Sequence, residues 1–318
     1  MSYDVYVLRG VMLALAWLIA LNAAATALAV IVSRWLIARD GHRPAALWLA
    51  LRLGPAVVSV AFAALVFIPS YLAYEPRLDV GEGFDLTLTS LAVAAAVMIA
   101  VTAVRGATAW VGAWNRARAW RRVSRPLTIG DDTIATYVVD VDTPIMALAG
   151  LLRPRLLVTR GVVDALTAEE LRAGVAHELG HFRAWDNLKR LAMRAAPDLL
   201  FLMPAASAIE MRWASAAEHA ADSRACETER ARCALASALV KIARLTPPRT
   251  PLAQPISTLV DGGEIASRVQ RLLSDTVPTP AFSRRWPMAA AALTALAAYA
   301  PLLRAVHEAT EILVRTLP

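Results

Sequence analysis

His177-Glu178-Leu179-Gly180-His181 sets two imidazoles four residues apart with a carboxylate beside the first. On a helix, positions i and i+4 lie one turn apart on the same face, so both rings can reach one metal ion. Glu178 sits about 100° around the helix from His177, where it can hold a metal-bound water without being a ligand. Zinc lowers the pKa of such a water from about 15.7 to about 7, and a carboxylate can take its proton as it attacks a carbonyl. The chemistry on offer is metal-assisted amide hydrolysis, with Glu178 as the general base that later returns a proton to the leaving amine. The pentapeptide alone is a loose pattern, so its neighbours decide.

A catalytic zinc site takes three protein ligands and one water. The run Glu218-His219-Ala220-Ala221-Asp222 supplies two carboxylates one helical turn apart. Glu218 is the expected third ligand, with one Zn2+ per chain on His177, His181 and Glu218. Asp222 is expected behind it, hydrogen-bonded to a ligand imidazole and fixing its tautomer. His219 competes for the third position but points about 100° away from Glu218. A solvated acidic face is the reading that would hold without the histidines. Asp186, five residues after His181 and followed by Asn187, either orients a histidine, caps a turn or is an ordinary surface carboxylate.

Helices and strands must position these groups. Thr167-Ala168-Glu169-Glu170 has capping-box spacing and predicts the start of the histidine helix. Leu171, Val175, Leu179 and Phe182 recur at helical spacing as a buried stripe, off which His177 and His181 fall. Thr136 to Val141 and Arg155 to Thr159 have strand character. Ile265 to Leu273 predicts a short helix with Arg268 and Arg271 on one side, for which the plain reading is a solvated face. Thr246 to Pro255 and the Gly262-Gly263 pair predict a loop, a candidate cover for the site. Cys226 and Cys233 are seven residues apart, about 10 Å along a helix, too far for a disulfide. They fit a reducing compartment and read as small packing residues.

Composition points to a bilayer. Hydrophobic residues make up 58% of the 318, and the mean hydropathy is +0.49. Val11 to Ser33, Leu53 to Tyr74 and Leu86 to Val104 approach or exceed the roughly 20 apolar residues a span needs, and Pro287 to Leu303 is a shorter fourth candidate. The first run is too long for a signal peptide and lacks a basic start, so it is read as retained. Leu191 to Ile209 is apolar but holds Arg194, Pro197, Asp198 and Pro204. Since His181 and Glu218 must meet, the chain between them cannot cross the bilayer an odd number of times. It is expected to pack in the domain or dip into the membrane face. Arg34, Arg39, Arg43 and Arg52 in the first connector, and Arg105 to Arg125 after the third span, are the basic loops that stay cytoplasmic. Glu75, Asp79, Glu82 and Asp85 lie in the opposite connector, and Arg284 and Arg285 agree with the assignment. Trp35, Trp48, Trp110, Trp114 and Trp120 fall near the predicted cytoplasmic boundaries. The net charge of +7 and the pI near 10 are accounted for by this distribution, and no nucleic-acid motif is visible.

The expected fold is a mainly α membrane protein of about four transmembrane helices carrying a cytoplasmic α+β zincin-like metallopeptidase domain. The layout is residues 1–104 for three spans, 105–286 for the zinc domain and 287–318 for a last span and tail. The expected location is the inner or plasma membrane, multi-pass.

The run Leu152-Arg153-Pro154-Arg155, then Leu156 to Thr159, Leu166 to Arg172, HELGHFRAWDNL from His177 to Leu188, and the EHAAD run resemble the BlaR/MecR-type membrane metallopeptidases. The likeness covers Thr143 to Asp222 in detail and the whole chain in layout. It implies a zinc ligand at Glu218, a protein or peptide substrate met as an extended strand at a sheet edge near Leu156 to Thr159, and regulatory cleavage of a repressor or of the protease itself. The chain ends at Pro318 without room for a penicillin-binding sensor domain, so antibiotic sensing is not implied. The HtpX-like and CAAX-protease peptidases share the zinc logic and fit less well. Two alternatives stay open: a non-cleaving signalling or scaffold protein of the same fold, and an HtpX-like quality-control protease. Homo-oligomerisation is also open.

Overall fold

The computed structural model describes residues 3–39, 41–76, 85–127, 135–140, 144–149, 155–245, 265–274 and 286–316. Three of its described helical stretches are long and apolar enough to cross a membrane: Asp4–Ala38, Ala45–Tyr74 and Leu86–Trp120. In each, only 22 to 33% of the most apolar window is buried inside the protein, so most of that surface faces outward. This is a membrane-type α protein by length and composition.

Helix α1 (Tyr3–Ala38) packs on α2 (Ala45–Phe62) and on α4 (Leu86–Val123). A π-helical turn, Ala63–Phe67, joins α2 to α3 (Ile68–Tyr74). Pro69 has no N–H for the carbonyl of Leu65, and the helix relaxes there. The freed Leu65 carbonyl accepts from the Tyr299 hydroxyl at 2.6 Å, and Ser70 Oγ donates to the Leu303 carbonyl at 2.6 Å. Both partners lie on α11 (Trp286–Thr316), which contains the expected fourth span.

The third span and the link to the next domain are one unbroken helix. Nothing between Val104 and Val123 stops α4, so it carries the chain to the sheet. Strands β1 (Ser124–Leu127), β2 (Thr136–Val139), β3 (Met146–Ala149) and β4 (Arg155–Thr159) form one sheet in the order β1-β2-β4-β3. β2 and β4 are parallel, and the outer pairs are antiparallel. Leu156 to Thr159, expected near the substrate edge, form β4, which is bonded on both sides and adjoins the edge strand β3; among the described residues β1 is the other edge.

The short α5 (Arg160–Ala165) leads into α6 (Ala168–Arg183). α6 opens with the predicted capping box: Glu170 N donates to Thr167 Oγ1 at 3.3 Å, and Thr167 N donates to Glu170 Oε2 at 2.7 Å. Ser237 and Lys241 of α9 (Glu229–Leu245) also reach Glu170, at 2.6 and 2.8 Å. The core packs Met146, Leu148, Leu156 and Val158 of the sheet against Leu171 of α6, Leu235, Leu239 and Ile242 of α9, and Leu272 of α10 (Ile265–Leu273).

The segment Leu191 to Ile209 is not a span. α7 (Asp186–Ala195) ends before Pro197, a 3-10 turn covers Leu199–Leu202, and α8 (Pro204–Ala225) returns. α7 comes so near α4 that a Cβ on Gly106 would meet the Ala195 Cβ at 2.6 Å. Arg52, expected as a loop charge, lies inside α2 with no exposure and pairs with Asp198 and Glu210, both at 2.8 Å. Trp48 is buried against α8, whereas Trp35, Trp110 and Trp114 are exposed. Cys226 and Cys233 are free thiols; Cys226 packs beside the core and Cys233 is exposed. The expected loop and cover from Thr246 to Gly263, Leu152 to Pro154, Asp79, Glu82, Arg284 and Arg285 lie outside the described residues.

Candidate metal centre

α6 and α8 cross at the histidine motif with almost no space between them. A Cβ on Gly180 would lie 3.2 Å from Ala221 Cα and 3.3 Å from its carbonyl oxygen. This contact brings the His181 turn of α6 against the turn of α8 that holds Glu218 and Asp222. His177 is fully buried, and Glu178 and His181 are 1% and 3% exposed. The motif face is thus more buried than Val175 and Leu179 of the expected apolar stripe, which are half-buried. α6 runs between the sheet, α8 and α9, so its polar face is internal as well.

His177 Nε2 and His181 Nε2 are 3.2 Å apart. Glu218 Oε2 lies 3.3 Å from the first and Oε1 lies 3.3 Å from the second. The far side of each ring meets a carboxylate: His177 Nδ1 is 2.9 Å from Asp222 Oδ1, and His181 Nδ1 is 2.8 Å from Asp186 Oδ2. The Asp186 bond holds the proton on Nδ1 of His181, the Asp222 carboxylate favours the same tautomer in His177 by its charge at close range, and both Nε2 atoms face the centre. Lys189 Nζ, 3.2 Å from Asp186, completes that side.

The donor set fits a tetrahedral divalent cation. Two ligands on zinc with bonds of about 2.0–2.1 Å are about 3.3 Å apart, the spacing of these three side chains. The three donor atoms lie within 4.8 Å of one another. The electrostatics agree. Burial works against protonating His181, yet its bonds to Asp186 and Glu218 and the Glu218 charge hold its pKa up to about 10. His177 is likewise raised, against burial, by Asp222 and Glu218. Burial opposes ionising Glu218, but the two histidines keep it far below the ordinary range. The cage carries excess negative charge that protons answer when no cation does, and a divalent ion would exchange with them.

Glu178 stands apart from the ligand atoms. Its Oε2 accepts from the Leu148 backbone N of β3 at 3.2 Å. Its Oε1 is buried without a hydrogen-bond partner among the described residues, an acceptor open to a water. Burial raises its pKa to about 7, against the pull of His181 and His177. A carboxyl titrating there can both take and return a proton at neutral pH. Asn187 Nδ2 donates to the Leu148 carbonyl at 3.4 Å, so β3 is tied to the motif from two sides.

Sequence reasoning brought Glu218, Asp222 and Asp186 to this centre and missed Arg268. Arg268 is not on a solvated face: it is 2% exposed. Its Nε and Nη2 fork onto Asp222 at 2.9 and 2.6 Å, and Nη1 lies 3.0 Å from Glu218 Oε2. Burial opposes ionising Asp222, but His177 and Arg268 hold it down to about 2. The available signal was the shortage of cations near four carboxylates. His219 stays outside the cage, its ring 5.3 Å from that of His42 in the α1–α2 connection.

A second group, Glu75, His307 and Glu311, also brings three donor atoms within 4.8 Å at the far end of α3 and α11. There Arg9 Nη1 already lies 3.3 Å from Glu75 Oε1.

The family model described as Peptidase family M48 matches residues 114–257. That stretch begins near the end of α4 and passes α9, so it includes His177, Glu178, His181, Asp186, Glu218 and Asp222 and stops short of Arg268. The match is consistent with the membrane zinc metallopeptidases of the BlaR and HtpX type and supports reading the chain as a metallopeptidase. No curated protein matches the chain.

Proposed function

We propose that the protein is a multi-pass membrane zinc endopeptidase in which His177, His181 and Glu218 hold one zinc ion and Glu178 is the general base. The observation that carries this reading is Glu218, whose two oxygens each stand 3.3 Å from one Nε2 of the histidine pair. When bound, zinc would supply the Lewis acidity that polarises a scissile carbonyl and acidifies a water. Glu178 takes the proton of that water and passes it to the leaving amine. Asp222 and Asp186 keep both imidazoles in the ligating tautomer. β3 is the edge strand beside Glu178; its residues are buried and Leu148 already meets Glu178 and Asn187, so an extended substrate segment adding there as a strand exchanges those contacts for its own backbone bonds, which supply affinity without demanding a sequence.

The arginine-rich connections support a cytoplasmic position for this domain. The substrate is a cytoplasmic or membrane-proximal protein, cleaved in regulation, such as a repressor or the chain itself. The quality-control reading predicts many cuts in unfolded membrane proteins rather than one defined cut. A non-cleaving scaffold has no use for a buried carboxyl poised near neutrality at Glu178.

The deciding experiment compares cells carrying the native protein and Glu178→Gln by proteomics of newly formed termini, with zinc content measured on both purified proteins. One zinc per chain in both, and loss of a set of termini in the variant, is the expected result. Zinc retained with every terminus unchanged would leave the scaffold reading standing and remove the catalytic one.

A further inference from the structure

The chain between α7 and α8 turns on polar groups that belong to the membrane helices. Asn22 of α1 is fully buried. Its Nδ2 donates to the Pro197 carbonyl at 3.0 Å, and its Oδ1 accepts from Leu199 N at 2.8 Å. The same amide reaches Ser59 Oγ at 3.0 Å and the Pro55 carbonyl at 3.2 Å on α2. Arg52 Nη2 donates to the Met193 carbonyl at 2.6 Å, and Asp198 Oδ1 accepts from Phe201 N at 3.2 Å. Irregular backbone with this degree of internal satisfaction is what hydrocarbon demands, since lipid offers no hydrogen bonds.

A helical ruler gives the depth. Along α1, Asn22 is 13 residues from Arg9 and 12 from Arg34, about 18–20 Å from either charge at 1.5 Å per residue. This places Asn22, and the Pro197 and Leu199 backbone it holds, inside a hydrocarbon layer about 30 Å thick. Arg52 is buried and bonded to Asp198 of the turn, so its charge is met within the protein. The surface at that level agrees. Leu200 is buried, but Leu202 is 64% and Met203 45% exposed, as are Val57 and Val58 of α2 at 61% and 53%. Those valines flank the contacts of Asn22 on the outward face of a candidate span.

We propose that residues 196–203 are a re-entrant elbow that enters the bilayer from the side of the metal centre and presents Leu202 and Met203 to lipid acyl chains. Met211, eight residues along α8 from Met203 and 67% exposed, sits about 12 Å nearer the surface. The inference rests on reading α1, α2–α3 and α4 as spans and not on the chemistry of the metal centre.

The test uses the full chain with Cys226 and Cys233 replaced by serine, reconstituted in phosphatidylcholine bilayers. Single cysteines at 202, 203 and 211 carry nitroxide labels, with Val58→Cys as a span control and Arg230→Cys as an aqueous control. Collision with dissolved oxygen should dominate over a water-soluble nickel chelate at 202 and 203 as it does at 58, and the ratio should fall at 211. A small maleimide should alkylate the unlabelled thiols at 202 and 203 about tenfold more slowly than the thiol at 230, because a thiolate does not form in hydrocarbon. This second measurement avoids a bulky label at the turn. Nickel-dominated collision at 202 and 203 with the control at 58 in lipid overturns the elbow alone. The same result at 58 as well overturns the spans with it. Positions shielded from both reagents mean a protein partner, including a second copy, and overturn lipid contact.

Discussion

Replacing Gly180 by alanine tests whether the α6–α8 spacing sets the metal centre. The added Cβ would stand 3.2 Å from Ala221 Cα, 3.3 Å from its oxygen and 3.4 Å from its Cβ. Comfortable carbon contacts lie at about 3.5–4.0 Å, so the helices must part by a few tenths of an ångström. Overpacking of this kind costs about 1–3 kcal/mol, and alanine returns about 1 kcal/mol of helix propensity over glycine. The net loss of stability is then small, about 0–2 kcal/mol. Metal affinity should change more. Gly180 adjoins His181, and Ala221 lies between Glu218 and Asp222, so the shift falls on the 3.3 Å spacing between His181 and Glu218. Metal sites hold their distances to about 0.2 Å, and we expect zinc affinity to fall about tenfold to a hundredfold, the range seen when supporting groups are lost. The assay is competition with a chromogenic chelator, alongside thermal unfolding of the metal-free protein. Gly54→Ala is the control: its Cβ meets nothing within 4 Å, so it should stabilise α2 slightly and leave zinc binding alone. Wild-type zinc affinity in Gly180→Ala would refute the claim that this contact positions the ligands.

Arg268→Gln should weaken zinc binding by about tenfold to a hundredfold, because Asp222 and Glu218 lose their shared guanidinium. Arg268→Lys should recover part of it, since an ammonium can meet one carboxylate but not fork onto Asp222; equal affinity in all three proteins would remove Arg268 from the site. Glu170 gives a pH dependence. Its pKa is about 2: burial opposes ionisation, but Lys241, Ser237 and the Thr167 backbone overcome it. A depressed carboxyl contributes stability that is complete above its unfolded value and is lost as pH falls through the folded one. Unfolding midpoints should therefore drop between about pH 4.5 and 2, and Glu170→Gln should lower stability at neutral pH and flatten that acid limb. Parallel acid limbs for the two proteins would contradict it.

Local rules made much of this protein legible. Thr167 and Glu170 announced a helix start because a capping box is written within four residues. His177 with His181, and Glu218 with Asp222, could be paired because i and i+4 spacing survives any tertiary context, whereas joining the two pairs rested on the three protein ligands a catalytic zinc site takes. Asp186 could be named but not assigned, since the half-turn at Trp185, with φ of 59°, decides which way it faces. Strand order was beyond reach. β4 pairs with both β2 and β3, and no local pattern separates an inner strand of five residues from an edge. Arg268 and Arg52 failed for one shared reason. Arginine is read as exposed because burying an unpaired charge is so costly, yet each is paired with carboxylates more than 40 residues away in sequence: Asp222 for the first, Asp198 and Glu210 for the second.

The residues around the elbow explain how membrane helices and metal centre form one object. α7 and α8 both leave the turn, and each carries part of the centre at its other end: Asp186 on α7, Glu218 and Asp222 on α8. Their near ends are held by Asn22 and Arg52, through bonds to Pro197, Leu199, Met193, Asp198 and Glu210. The two helices are struts of fixed length. Glu218 lies 14 residues beyond Pro204, about 21 Å along α8. On the proposed elbow, that length carries Glu218 out of the hydrocarbon toward the headgroups on the side of the metal centre. The contact between His219 and His42 agrees, because His42 lies in the short connection between α1 and α2, where the chain leaves and re-enters the bilayer. A movement of α2 relative to α1 would reach the ligands through Arg52 without any flexible linker in between.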